Sequence, residues 1–302
     1  MRVLVTGASG LIGSAVCDAL LARGDALVGL TRDPQRARET NPTVTWYAWD
    51  PALERPPAEA LEGVDRVINV IGEEINQRWT EEAKRRIRDS RVQATRNLVQ
   101  AISSADPRPK VLVSQSAVGY YGDRGDAIVD EETAAGSSFD AGVCVDWEAE
   151  AREAKNAGLR VIVTRSAPIL DKRAGLLKQL LPPFKLGLGG PIAGGSQYLP
   201  WIHIDDEVRI LLWALDDERV SGTINASAPE PVTNREFSRT LGRVLRRPAV
   251  MPVPKLAVAM MRGGELADTV AGGQRVIPRR ALDLGFEFRY RELERALRAA
   301  LA

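Results

Sequence analysis

The segment Thr6-Gly7-Ala8-Ser9-Gly10-Leu11-Ile12-Gly13 constrains the fold more than any other part of the chain. It lies between a short apolar run, Val3-Leu4-Val5, and a stretch with apolar residues at helical spacing, Leu11 to Ala22. The apolar run reads as a buried strand. The helical stretch closes at Arg23-Gly24, a C-cap signal, and a second apolar run follows from Ala26 to Leu30. Strand, glycine-rich turn, helix and strand make a βαβ unit, which demands a parallel sheet. Gly7 supplies the tight turn, because no Cβ restricts its φ. Gly10 lets the backbone approach a pyrophosphate, and Gly13 lets the helix pack close to the strand. With free N–H groups and the positive end of the helix dipole, Gly7, Ser9, Gly10, Leu11, Ile12 and Gly13 form a site for a dinucleotide phosphate. An acid usually ends the second strand and binds the adenosine ribose. Here Thr31-Arg32 stands in that place. An arginine pairs with a 2′-phosphate that an acid would repel, so NADP(H) is favoured over NAD(H), although Asp33 follows directly.

The alternation continues along the chain. Val44 to Tyr47, Val67 to Val70, Val111 to Ser114 and Leu159 to Thr164 read as strands. Glu81 to Ile102 reads as one long helix and Asp146 to Ala157 as another, ending at Gly158. This predicts an α/β, Rossmann-type doubly wound sheet over residues 1–165, completed by a helix and strand within about 203–228. Residues 166–202 and 229–302 read as a smaller, mostly helical substrate lobe. Its first part is loop-rich, with Pro182-Pro183 and Gly189-Gly190-Pro191, and its second holds helices over Val232 to Arg246, Val258 to Met261 and Leu293 to Leu301.

Composition narrows the function. Lys and Arg total 41 against 40 Asp and Glu, so no net field recruits a nucleic acid. Two cysteines and one histidine argue against a disulfide framework or a metal centre. No apolar run approaches the roughly 20 residues of a membrane span. These features predict a cytoplasmic protein with a small-molecule substrate, as monomer or homodimer.

Beyond the glycine turn, the chain resembles the extended short-chain dehydrogenase/reductases, and more narrowly an atypical NAD(P)-dependent epimerase/oxidoreductase branch with its own small C-terminal domain. The resemblance rests on Asn69-Val70-Ile71-Gly72-Glu73, Arg78-Trp79-Thr80, Ser116-Ala117-Val118-Gly119-Tyr120-Tyr121-Gly122, Trp147-Glu148, Trp201-Ile202-His203-Ile204-Asp205-Asp206, Pro231 to Phe237, and Gly285-Phe286-Glu287-Phe288. It implies that Asp50 lies near the adenine, that Asn69 and Gly72 lie under the ribose and adenine side, and that Ser116 bonds a substrate oxygen. It also implies a Tyr, with a Lys four residues later, on the helix after the serine strand. That window, Asp140 to Trp147, has neither, and Lys155 is the first lysine beyond it.

Without that pair, a reduced carbonyl still needs a proton donor or an electrostatic stabiliser. Ser116, Tyr120 and Tyr121 are the candidate catalytic hydroxyls, at the strand end where open α/β sheets place ligands. Arg91, Gln197, Trp201 and His203 are the candidate substrate contacts. Arg91 has the alternative of an ion pair with Glu73 or Glu74, Trp201 of core packing, and His203 of a structural hydrogen bond. Two functions follow: an NADP(H)-dependent oxidoreductase or epimerase acting on a small polar or sugar-nucleotide-like substrate, or a non-enzymatic NADPH-binding protein that senses or regulates.

Overall fold

Seven parallel strands form the centre of the computed structural model, which describes residues 1–302. They are β1 (Arg2–Thr6), β2 (Ala26–Thr31), β3 (Thr45–Ala48), β4 (Arg66–Asn69), β5 (Val111–Ala117), β6 (Arg160–Ser166) and β7 (Gly222–Ala226). Their spatial order is β7-β6-β5-β4-β1-β2-β3. Sequence order reverses between β1 and β4, so a crevice opens at the carboxyl ends of these two strands. The helices are α1 (Leu11–Ala22), α2 (Pro34–Thr40), α3 (Glu81–Asp89), α4 (Val92–Ser104), α5 (Phe139–Arg152), α6 (Gly175–Lys185), α7 (Ile204–Asp216), α8 (Asn234–Leu245), α9 (Lys255–Arg262), α10 (Gly264–Ala271), α11 (Arg279–Asp283) and α12 (Leu293–Leu301).

Side chains alternate across a strand, and β1 shows the consequence. Val3 and Val5 enter one core with Val16 and Leu20 of α1 and Leu211 and Leu215 of α7. Leu4 enters the opposite core with Leu98 and Ile102 of α4. Both faces are covered, which is why the strands are continuous apolar runs. The fold is the expected doubly wound sheet. A third core joins Leu170, Leu177, Phe184 and Trp201 to Phe237, Leu241, Leu293 and Leu297, so two separate stretches of chain share one core.

Three local expectations need correction. The helix expected over Glu81 to Ile102 is two helices, broken at Ser90-Arg91. The Ser90 hydroxyl donates to the Ile87 carbonyl (3.0 Å) and accepts from the Glu73 N–H (3.0 Å), while Arg91 also donates to Ile87 (3.1 Å). Side chains thus occupy the carbonyl at the end of α3, and the break fastens the loop after β4. Next, α5 starts at Phe139, seven residues before the expected Asp146, and a 3₁₀ turn over Glu153–Ala157 carries it to Gly158, which adopts φ 86°. Finally, the loop-rich stretch holds α6 despite Pro182 and Pro183. The prolines lie in its C-terminal part, and Leu177, Leu181 and Phe184 anchor it by burial.

Candidate functional site

The turn after β1 is shaped by what it lacks. Gly7 has φ +64°, and a Cβ there would stand 2.7 Å from the Val70 carbonyl oxygen. At Gly13 a Cβ would stand 2.1 Å from the Gly7 oxygen. Gly10 is the N-cap of α1 and supplies no side-chain cap, so the first-turn N–H groups of α1, which helix geometry leaves without intrahelical partners, face the turn. Ser9 is exposed, and Leu11 and Ile12 are half-buried. Arg32 is exposed at the end of β2 and makes no ion pair. Asp33 is turned away from that role, because its carboxylate caps α2 by accepting the Arg36 N–H (3.0 Å). The Thr31 hydroxyl accepts the Asp33 N–H (3.2 Å), which orders the strand end. Asp50 is half-buried and holds its own loop through the Ala52 N–H (3.1 Å). These groups fit a dinucleotide with a 2′-phosphate: a side-chain-free cradle, an uncapped helix end and an uncommitted guanidinium.

Asn69 does not offer its side chain to a ribose. Its amide is consumed inside the sheet, accepting from Thr6 (2.6 Å) and donating to Thr95 and Ser114 (3.0 Å each). It ties β1, β4, β5 and α4 together beneath the crevice. Gly72 lies against Arg91, whose guanidinium would stand 3.0 Å from a Cβ there. Arg91 pairs with neither Glu73 nor Glu74. It donates to the Glu73 and Ile87 carbonyls (2.9 and 3.1 Å) and lies over the Trp147 ring, and burial holds its pKa below the usual arginine value. Arg91 therefore clamps the loop after β4.

At β5 the structure shows a closed network. The Ser116 hydroxyl, 1% exposed, donates to Glu148 Oε1 (2.8 Å). Arg165 grips the same carboxylate with two hydrogen bonds (2.8 and 2.9 Å), and Arg152 adds a third (2.6 Å). Arg165 also donates to the Tyr121 hydroxyl (3.0 Å), which donates to Asn225 (2.6 Å). Tyr121 is fully buried, and burial pushes its phenol up to about 12. It is therefore a core residue rather than an accessible acid. The Arg165 guanidinium lies 3.3 Å from the centre of the Tyr120 ring, and the Tyr120 hydroxyl makes no protein hydrogen bond. Ser116 spends its proton on Glu148 and presents only an acceptor.

Three expected substrate contacts lie elsewhere. Trp201, 1% exposed, packs in the third core. His203 is buried and serves as the N-cap of α7, its Nδ1 accepting the Asp205 N–H (3.1 Å), while its ring lies 4.0 Å from Tyr290. Burial lowers its pKa, which favours the neutral imidazole whose Nδ1 can accept. A lone histidine before a helix carries the same sequence signal as a catalytic one. Gln197 bridges the Ile192 and Val270 carbonyls (3.1 and 3.4 Å), tying the 190s loop to α10.

A cavity of about 490 Å³ opens between the β5–α5 segment and the α9–α10 pair. Trp79, Phe139, Asp140, Lys255 and Asp268 are among its lining residues. None of Ser116, Tyr120, Tyr121, Arg91, Gln197, Trp201 or His203 lines it. Sequence reasoning missed Asp140. No sequence pattern marks it: only the structure shows Asp140, Cys144 and Glu148, four residues apart on one face of α5, all buried against the end of β5.

Comparison with known proteins fits this architecture. Residues 3–227 match the NAD dependent epimerase/dehydratase family. The chain belongs to that family. Residues 253–300, which hold α9, α10, α11 and most of α12, match a domain of unknown function, DUF1731, so the expected C-terminal addition is present. An epimerase family protein from Arabidopsis thaliana, described as an SDR39U1 homolog and chloroplastic, is 39% identical over 303 residues, covering 100% of this chain and 87% of that one. The crystal structure of human epimerase family protein SDR39U1 with NADPH superposes with a TM-score of 0.89 at 36% identity, covering 99% of each chain. A nucleoside-diphosphate sugar epimerase from Corynebacterium glutamicum gives a TM-score of 0.80 at 32% identity, covering 100% of this chain and 58% of that one. No helix of the chain is long and apolar enough to cross a membrane.

Proposed function

We propose that this protein is an NADP(H)-dependent oxidoreductase or epimerase of the extended short-chain dehydrogenase/reductase type, acting on a small polar or sugar-nucleotide-like substrate. The cradle after β1 carries the proposal, because contacts of 2.7 and 2.1 Å bar any side chain at Gly7 and Gly13. The unpaired Arg32 supports the 2′-phosphate form, as does the NADPH in the human relative's structure. When bound, the nucleotide supplies or takes up a hydride. The chain's own residues do the rest. The first turn of α1 holds the pyrophosphate, Arg32 meets the 2′-phosphate, and the loop clamped by Arg91 walls the adenine side. Ser116, buried and with its proton committed to Glu148, positions α5 against the end of β5 rather than meeting the substrate itself.

A second reading has its own support. Ser116 and Tyr121 are tied into the Glu148–Arg165 network, as in a scaffold that binds the nucleotide without turnover. One experiment separates the two. NADPH-loaded protein is offered a panel of carbonyl compounds and nucleotide sugars, and NADPH oxidation and sugar interconversion are followed. Turnover of any member supports the enzyme. Tight nucleotide binding with no turnover across the panel favours the sensor.

A further inference from the structure

Asp140 occupies an unusual position among the carboxyl groups of the cavity. Asp123 accepts the N–H groups of Gly125 and Gly273 (2.9 Å each), which hold it ionised. Glu265 pairs with Lys84 (2.7 Å) and Asp268 with Lys255 (2.5 Å). Asp140 has no cationic partner. It is 5% exposed, and its Oδ1 is buried without a hydrogen bond to protein. Gly119, at the turn that ends β5, leaves room for it, since a Cβ there would stand 2.9 Å from Oδ2. A buried carboxyl without a cation is disfavoured as the anion, and burial raises its pKa against the smaller opposing pulls of Ser138 and of the Asp140 and Ala141 N–H groups at the start of α5.

Its place on α5 gives this a chemical meaning. Asp140 and Cys144 are four residues apart on the face turned to Ser116, Ala117 and Gly119. The Cys144 thiol is fully buried within hydrogen-bonding reach of Ser116 and Ala117, and burial pushes it up to about 12. One turn further, Glu148 is neutralised by Arg165. No lysine stands where it would draw a proton off the neighbour four residues earlier. A pair built this way favours a neutral acid that gives a proton, the reverse of a phenol poised by an ammonium.

We propose that Asp140 is the proton donor of this site, delivering its carboxyl proton to the oxygen of a carbonyl substrate reduced in the cavity. This rests on the NADP(H)-dependent reading above. The balance is that of a reduction. NADPH gives up two electrons and one hydrogen as hydride to the carbonyl carbon, and the C=O π bond opens. The Asp140 O–H bond breaks as the substrate O–H bond forms, and solvent returns the proton through the cavity.

An acid that protonates the oxygen beside the hydride acceptor must sit within reach of the nicotinamide. It then feels the positive charge that the ring carries only when oxidised. NADP⁺ binding should expel the Asp140 proton, and NADPH binding should leave it in place. The test uses the whole chain, titrated calorimetrically with NADPH and with NADP⁺ in two buffers of different ionisation enthalpy, from mildly acidic to mildly alkaline pH. The 2′-phosphate is common to both nucleotides, so its titration cancels in the ratio. In the wild type, the affinity ratio of NADP⁺ to NADPH should climb with pH, by up to about tenfold per unit. In Asp140→Asn it should stay flat within about twofold, with NADPH affinity retained. A flat ratio in the wild type overturns the proposal, even if the variant does not fold, and so does a slope that persists in Asp140→Asn. Binding of neither nucleotide would remove the cofactor reading and this inference with it, whereas binding of both with equal proton release removes the inference alone.

Discussion

The turn after β1 and the network joining β5, β6 and β7 are held at the carboxyl ends of the same sheet by opposite means. The turn is built from backbone. Its specificity lies in absent side chains at Gly7 and Gly13 and in the unpaired amides of α1. The network is built from side chains. Ser116, Glu148, Arg165, Tyr121 and Asn225 come from β5, α5, β6, the turn after β5 and β7, and they satisfy one another away from water. A backbone site can be empty and still fold, because nothing in it depends on a partner for stability. The network is the converse, since each member leaves a buried polar group stranded when another is removed. One region should therefore be read out by binding and the other by stability.

The largest effect should come from breaking the network. Glu148→Ala leaves Arg165 buried without its carboxylate, a loss of about 3–5 kcal/mol of stability. Thermal or urea unfolding will show it, and a loss below about 1 kcal/mol would mean that the pair is solvated. A related effect needs no mutation. Glu207 is fully buried against Ser166, and burial pushes it up to about 7. Its folded-state pKa lies above its unfolded one, so the native state binds more protons from about pH 4.5 to 7. Stability should fall as pH rises through that window, by up to about 3 kcal/mol, and level off above it. Melting curves of wild type and Glu207→Gln check the sign, because the variant should lose this slope.

The turn should answer differently. Gly13→Ala forces a Cβ against the Gly7 carbonyl, at a cost of about 1–3 kcal/mol that falls on the shape of the turn. NADPH affinity should drop roughly tenfold to a hundredfold. Unfolding alone, with affinity unchanged in the folded fraction, would erase the distinction between the two regions. The smallest effect is expected from Tyr121→Phe. It strands Asn225 Oδ1 and one Arg165 N–H, for about 1–2 kcal/mol of stability. Nucleotide affinity should stay within about twofold by fluorescence titration.

The same contrast explains what the sequence made legible. The glycine turn, β1, α1, β2 and Arg32 are contiguous, so local spacing reveals them. The doubly wound order follows from repeated strand and helix runs. The network and the cavity draw on segments up to about 150 residues apart, as Asp123 and Gly273 show, and no local pattern marks them. His203 and Trp201 carried plausible chemistry in sequence, but burial gives them structural work. The break at Ser90-Arg91 depends on Glu73, seventeen residues away, so helical periodicity could not show it. Asp140 was hidden for a different reason: a lone Asp on an exposed-looking helix start is ordinary in sequence, and only burial without a cation sets it apart.

Cofactor choice at Arg32 is best decided by a tryptophan-fluorescence titration with NADPH and NADH, on wild type and Arg32→Asp. Preferential NADPH binding is expected in the wild type, with a fall of about tenfold or more in that preference once the acid faces the 2′-phosphate. Equal affinity for the two nucleotides, or a preference untouched by Arg32→Asp, would contradict the assignment of the turn and Arg32 to NADP(H).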